Sequence, residues 1–413
     1  MLMEYFADYF TDFNEHWLKE HSSQSNFTFS KNNFMFAIIL LLILLAQATL
    51  SYSLFELQHP FFIVLGTLQL ILFFGSMLIM MRTFRNRKTA DYRRGFNAFG
   101  VMIASGVPAL GFFLFGIVYL ITGIAWIEYI GFGITIGMFF AILAGIIWGR
   151  WNWKTHTIEL PFENLPADSD GLRIVQISDI HVGSFFNKYD KVEKAIRQIN
   201  QLEADFVFFT GDLVNNIAEE MLGWEAIFSK IQAKIGKYSI LGNHDYGDYV
   251  PWDKEETKND NLTKLIAIHK EIGFTPLLNE AIELRPGFWL LGVENWGTAP
   301  FRQSGKLEET MEKVPADSFK LLLSHDPSHF DEQVVTKTDI DLTLSGHTHG
   351  MQFGIERFGI KWSPVSLRYK KWAGLYNVGK QFLYVNRGFG YLAFPGRVGI
   401  YPEITLIKLS RSN

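Results

Sequence analysis

Residues 342–350 read Leu-Thr-Leu-Ser-Gly-His-Thr-His-Gly. The short apolar run predicts a buried strand, and the glycine after Ser345 lets the chain turn sharply and approach a ligand closely. Working outward from this stretch, the same grammar recurs. Residues 174–178 run into Asp179 and His181, 206–210 into Gly211 and Asp212, and 238–241 into Gly242, Asn243, His244 and Asp245. Residues 321–324 end in His325. Ligand-type side chains thus recur at one end of successive apolar strands, and the carboxyl ends of strands are where open α/β folds build their sites. A lone Asp-x-His or Gly-Asp reads as turn chemistry. Five such endings in order do not.

The strands expected from apolar runs cover 172–177, 206–209, 238–241, 289–293, 321–323 and 342–344, with a helix over 188–202 that puts Val192, Ala195, Ile196, Ile199 and Leu202 on one face. This mixed α/β composition begins only at about Trp151. Before it, the 413-residue chain is of another kind, which accounts for a composition with 48% hydrophobic, 15% aromatic and only 19% charged residues. Between Lys31 and Arg82 the sole charge is Glu56, and it separates apolar runs at 34–55 and 60–81; between Arg94 and Arg150 the sole charge is Glu128, with runs at 96–121 and 126–148. Each is about the 20 residues needed to cross hydrocarbon as a helix. The fourth run carries Gly131, Gly133, Gly137 and Gly145, which suit close helix packing in lipid. The first run follows about 30 polar residues and exceeds the h-region of a signal peptide.

The connection between the second and third spans holds Arg82, Arg85, Arg87, Lys88, Arg93 and Arg94, and the other two short loops hold no Lys or Arg. The positive-inside rule then puts that connection, both termini and everything after the fourth span in the cytoplasm. The expected product is a multi-pass inner-membrane protein with a cytoplasmic catalytic domain. Phe6, Tyr9, Phe10, Phe13 and Trp17 fall at helical spacing, which suits a helix lying in the interface or one packed on protein. The expected organisation is a polar and aromatic segment at 1–30, a four-helix transmembrane domain at 31–150 and a catalytic domain at 151–413. A net charge of -4 argues against a nucleic-acid partner, and the lack of cysteine excludes disulfides and thiolate-ligated metals.

The set Asp179-x-His181, Gly211-Asp212, Gly242-Asn243-His244-Asp245, His325 and Gly346-His347-Thr348-His349 resembles the calcineurin-like metallophosphoesterase family over about 172–409. Asn386-Arg387-Gly388, followed by Pro395, Arg397 and Pro402-Glu403-Ile404, resembles its membrane-associated phosphodiesterase-like branch, from which Met351 departs where that branch has glycine. The implied fold is an α/β (α+β) metallophosphoesterase sandwich, here preceded by an all-α membrane domain of four transmembrane helices.

The resemblance implies two divalent metal ions. Asp179, His181, Asp212 and His349 would hold the first; Asp212, Asn243, His325 and His347 would hold the second, and a hydroxide between the ions would be the nucleophile. Oxygen and imidazole donors suit Mn, Fe or Zn. His244 matches the family histidine that contacts phosphate and can protonate the leaving oxygen; Asp245 is expected to orient its ring, with capping of the turn as the alternative, and Arg387 to contact substrate phosphate, with a structural salt bridge as the alternative. The expected activity is a metal-dependent phosphoesterase acting on phosphodiester or diphosphate bonds, with a lipid-linked substrate or, alternatively, a soluble nucleotide or phosphoester; a receptor-like protein that has lost activity is the other reading. Gly-Asn-His-Asp differs from the Gly-Asn-Arg-Asp of the main lipid A hydrolase branch. Residues 362–372, which mix cations with aromatics, and the apolar 389–394 are expected to rim the site and meet the bilayer, or else to pack on the domain's own core.

Overall fold

The computed structural model describes residues 31–85 and 92–412, so the expected interfacial segment at 1–30 lies outside it. The chain divides into two compact units: a helical one with the four long helices and residues 393–396, and an α/β one that spans 148–392 and continues from 397.

In the helical unit, α1 (Lys31–Glu56), α2 (Pro60–Arg85), α3 (Arg93–Thr122) and α4 (Ala125–Ile147) coincide with the four apolar runs. All four are long and apolar enough to cross a membrane. Helix α3 stops where Gly123 takes φ 67°, a left-handed cap whose N–H returns to the Tyr119 carbonyl. Of the glycines in α4, Gly131 makes a close approach, since a Cβ there would press on Phe112 and Phe115, whereas Gly133 and Gly137 face open space. Polar side chains gather between helices: Ser51 Oγ donates to Gln69 Oε1 at 3.3 Å, and Gln69 Nε2 donates to Gln47. Such bonds satisfy groups that lipid cannot.

The α/β unit opens with β1 (Lys154–Phe162), β2 (Arg173–Ile177), α5 (Tyr189–Asn200), β3 (Phe206–Phe209), β4 (Gly236–Ser239), α6 (Glu255–Glu271) and β5 (Thr275–Pro276). It continues through β6 (Glu280–Arg285), β7 (Phe288–Gly292), β8 (Phe319–Leu323), β9 (Leu342–Ser345), a hairpin of β10 (Ile355–Arg357) and β11 (Ile360–Trp362), then β12 (Gly374–Val378), β13 (Gln381–Val385) and β14 (Glu403–Arg411). Two six-stranded mixed sheets result, ordered β1-β14-β2-β3-β4-β5 and β12-β13-β9-β8-β7-β6. Strands β2 to β5 run parallel in the first sheet; β7, β8, β9 and β13 run parallel in the second.

The sandwich core follows from period-two burial on continuous apolar strands. Ile174, Phe206 and Phe208 from the first sheet meet Leu290, Phe319, Leu321, Leu323, Leu342 and Leu344 from the second. The alternate residues Val175, Ile177, Val207 and Phe209 face outward under α5, which presents Val192, Ala195, Ile196 and Ile199 at i, i+3, i+4 and i+7. Because the parallel strands share a direction and Gln176 Nε2 reaches the Ser345 carbonyl at 2.9 Å, the carboxyl ends of both sheets converge.

Candidate metal centre

Each strand ending supplies part of one buried site, and backbone ladders together with buried carboxylates fix the loops. Past β2 and β3 the ladder continues: Asp179 N–H donates to the Gly211 carbonyl at 2.9 Å, and the N–H groups of Ile180 and His181 donate to the Asp212 carbonyl at 2.8 and 3.1 Å. His347 N–H donates to the Asp179 carboxylate at 3.0 Å, which ties the two sheets together at the site. Gly346 permits this, since a Cβ there would fall on Ser178 Oγ and the Asp179 carboxylate. Asp179, His181, Asp212, His347 and His349 all have positive φ, between 47° and 70°. Non-glycine residues in this region each cost on the order of 1 kcal/mol or more, and such strain persists where the surroundings over-determine it.

The side chains converge in three groups whose potential ligand atoms lie within 4.8 Å of one another: Asp179, His181 and His349; His181, Asp212 and His244; Asp212, His325 and His347. His181 Nε2 stands 3.1 Å from His349 Nε2, which lies 3.3 Å from Asp179 Oδ1. Asp212 Oδ2 sits between the halves, 3.5 Å from His181 Nε2 and 3.1 Å from His325 Nε2. Asn243 Nδ2 donates to Tyr249 OH at 2.7 Å, which turns its Oδ1 toward His347 Nδ1 at 2.9 Å. All seven residues expected as ligands are therefore brought together.

The electrostatics agree with a cation site. Burial opposes ionisation of Asp179 and Asp212, yet the neighbouring His349 and His325 at Asp179, and His325 and His244 at Asp212, outweigh it and hold both carboxyls below the usual range. Burial also opposes a charge on His325, but the two aspartates push it up to about 10. His181, buried with less compensation, is pushed down. His325 Nε2 makes no proper hydrogen bond despite its closeness to Asp212, and the imidazole nitrogens of His181 and His349 point at one another. Two carboxylates, clustered imidazoles and lone pairs aimed inward fit a pair of divalent ions better than they fit each other.

Other expectations are revised. His244 lies in the site, but its Nδ1 contacts the Asn215 carbonyl at 2.6 Å. The Asp245 carboxylate instead accepts backbone N–H bonds from Asp212, Leu213 and Gly242 at 2.8–2.9 Å and from Val214 at 3.3 Å, so it caps the turn in place of orienting the ring. A carboxylate ringed by four donors has spent its lone pairs on backbone. Arg387 is given to carboxylates, not to an open phosphate pocket: Nε and Nη2 each meet Glu356 at 2.7 Å and Nη1 meets Glu403 at 2.6 Å. Phe389 and Tyr391 lie fully within the core instead of on a rim.

Sequence reading also missed supports of the site. Tyr369 OH touches His347 Nε2 at 3.0 Å and donates to Asp326 Oδ2 at 3.1 Å. Glu220 accepts the N–H groups of Asn215, Asn216 and Ile217, while burial pushes its carboxyl up to about 7. Buried Arg397 donates to the carbonyls of His349 and Arg387 and contacts His349 Nδ1 at 3.1 Å.

Residues 172–351 match the family model of the calcineurin-like phosphoesterases. A bovine transmembrane protein with metallophosphoesterase domain is 29% identical over 267 residues, covering 61% of this chain and 56% of the bovine one. The uncharacterized metallophosphoesterase YkuE of Bacillus subtilis is 29% identical over 304 residues, covering 67% of this chain and 96% of its own. The UDP-2,3-diacylglucosamine pyrophosphatase LpxG of Chlamydia muridarum is 25% identical over 274 residues, covering 54% and 79%. The chain thus spans little more than half the length of the bovine relative. Five strand endings, buried Asp and His clusters and a two-sheet sandwich agree with these matches, and over residues 172–351 the chain is similar to the calcineurin-like phosphoesterases.

Proposed function

We propose that this protein is a membrane-anchored, two-metal phosphoesterase that hydrolyses phosphodiester or diphosphate bonds, with a lipid-linked substrate. The observation that carries the reading is Asp212, whose Oδ2 lies between histidines of both halves of the site, as a shared ligand requires. Asp179, His181, Asp212 and His349 would hold one ion, and Asp212, Asn243, His325 and His347 the other. When bound, such ions supply Lewis acidity toward phosphoryl oxygen and lower the pKa of water. The Asn215 carbonyl holds His244 at Nδ1 inside the site, and His244 would contact phosphate or deliver a proton to a leaving oxygen. Mn, Fe and Zn all suit the donors.

Residues 31–150 would form the membrane domain and 151–413 the catalytic domain, on the cytoplasmic side set by the six basic residues between the second and third spans. The lipid-linked class draws support from four helices long enough to span a bilayer and from similarity to a protein named for hydrolysing a diacylated sugar nucleotide.

The test is hydrolysis of bis-p-nitrophenyl phosphate by the full-length protein, with bound metal counted before and after chelation. Two ions per chain, loss of turnover on chelation and recovery on Mn addition are expected. Undiminished turnover by the metal-free protein would overturn the assignment.

A further inference from the structure

The β10–β11 hairpin has two faces of opposite character. Pairing of Ile355 with Trp362, Glu356 with Lys361 and Arg357 with Ile360 sets the faces, because cross-strand partners share a side and successive residues alternate. Glu356 and Lys361 form the inner face: Glu356 takes the bidentate bond from Arg387, and Lys361 Nζ donates to the Ala373 carbonyl at 2.5 Å. The outer face then carries Ile355, Ile360 and Trp362 with Arg357, all exposed. At the tip, Phe358 and Gly359 both take positive φ in a tight two-residue turn, and Phe358 is 95% exposed. Leu367, just beyond β11, is 88% exposed.

Nothing in the hairpin's own packing calls for this surface. A two-stranded hairpin gains little stability by itself, and an aromatic at a fully exposed turn adds none. The hairpin is nonetheless held rigidly. Arg387 pins its inner face and is itself pinned by Glu403, so three buried or half-buried charges are committed to its position. The segment leaves from His349 and returns to Tyr369, which touches His347, so both of its ends are fixed at the metal centre. Arg357 and Lys370 are exposed and make no ion pair among the described residues.

We propose that this hairpin is an interfacial wedge: Phe358, Ile360, Trp362 and Leu367 enter the headgroup region of an anionic lipid surface while Arg357 and Lys370 pair with lipid phosphates. The occupant is lipid because the exposed apolar side chains are accompanied by two exposed cations, Arg357 and Lys370, that make no ion pair among the described residues, a composition that suits a charged interface, and because the same chain carries four helices fit to span a bilayer. The wedge fixes the depth at which a lipid-linked phosphate ester would reach the metal centre, and in that respect it rests on the proposed lipid-linked substrate. The role of Arg387 is then to position the wedge, not to contact phosphate.

The chain contains no cysteine, so Phe358→Cys creates a unique labelling site in the full-length protein. Labelled with a nitrobenzoxadiazole probe and placed in nanodiscs of phosphatidylglycerol and phosphatidylcholine, it should emit to the blue. Nitroxide-headgroup lipid should quench it at least twofold more than a probe at Asp317→Cys, before β8 at the opposite strand ends. Leu367→Cys should behave as Phe358→Cys does, and quenching should weaken severalfold in pure phosphatidylcholine. Quenching equal to that of the Asp317 control would overturn the proposal, as would equal quenching in the two lipid mixtures or cross-linking of two copies through position 358. The readout needs no turnover, so a protein that is quenched as expected yet hydrolyses nothing supports the wedge while the proposed function falls.

Discussion

The ring nitrogens of His181 and His349 face each other at 3.1 Å, although 168 positions separate them in the chain. Two neutral imidazoles gain one hydrogen bond from this, whereas a cation between them and Asp179 gains three ligands. His349→Ala is therefore expected to lower bound metal from two ions to one and turnover by about 100-fold or more. Elemental analysis of the chromatographed protein checks it, and two retained ions would remove His349 from the ligand set.

His244 separates proton donation from simple phosphate binding. If Nε2 protonates the leaving oxygen, His244→Ala slows alkyl phosphodiesters at least tenfold more than activated aryl ones, which leave without a proton. Paired turnover numbers on both substrates give the answer; equal losses would reduce His244 to a binding group.

Asp245 bears on stability more than on chemistry. Asp245→Ala strands buried N–H groups of Asp212, Leu213 and Gly242, each unmet donor costing about 1–3 kcal/mol. A drop in the thermal midpoint of several degrees is expected, with Asp245→Asn, which keeps one acceptor oxygen, falling between. A midpoint unchanged in the alanine variant would contradict the capping role.

Met351 occupies φ 52° and ψ 16° within a run from His349 to Gln352 that is left-handed throughout. Glycine relieves about 1 kcal/mol of strain there, partly offset by the greater freedom it gives the unfolded chain. Met351→Gly should hold or slightly raise the melting temperature, while Met351→Val lowers it. Calorimetry on the pair decides, and a stabilising valine would refute the strain argument.

His269 is fully buried, with Nδ1 on Ser239 Oγ at 2.9 Å and its other nitrogen unpartnered, and burial holds its pKa down at about 4. The unfolded chain, with an ordinary value near 6.5, binds the proton first, so stability is full above that value and falls as pH drops from about 6.5 toward 4. Between pH 7 and pH 5 the wild type should lose about 2 kcal/mol more than His269→Phe, whose ring would keep the stack on Phe209. Denaturant midpoints at the two pH values measure the difference; parallel losses would exclude His269 as the sensor.

The residues expected as metal ligands were legible because each follows a run of apolar residues whose strand character is local, and a strand's end fixes where the next side chains go. The helix boundaries in the apolar half were legible for the same reason, since hydrocarbon thickness sets their length. The ion pairs of Arg387 were not legible because its partners, Glu356 and Glu403, come from separate strands, β10 and β14, and the sequence does not show that these strands meet at Arg387. Tyr249 and Tyr369 were missed because an aromatic in a loop has no periodicity to betray it. Strands β1 and β14 escaped notice because each finds its neighbour far away along the chain.

Strand β14 lies between β1 and β2, paired parallel to the first and antiparallel to the second, and Ser410 Oγ reaches the Leu160 carbonyl across 250 positions. During synthesis β1 emerges early and waits with its edge unsatisfied until β14 has been made, because no nearer segment supplies the missing partner. All four long apolar helices are thus made well before the first sheet can close. For that interval β1 is an open strand edge on a nascent chain, the condition in which it most needs a holding chaperone.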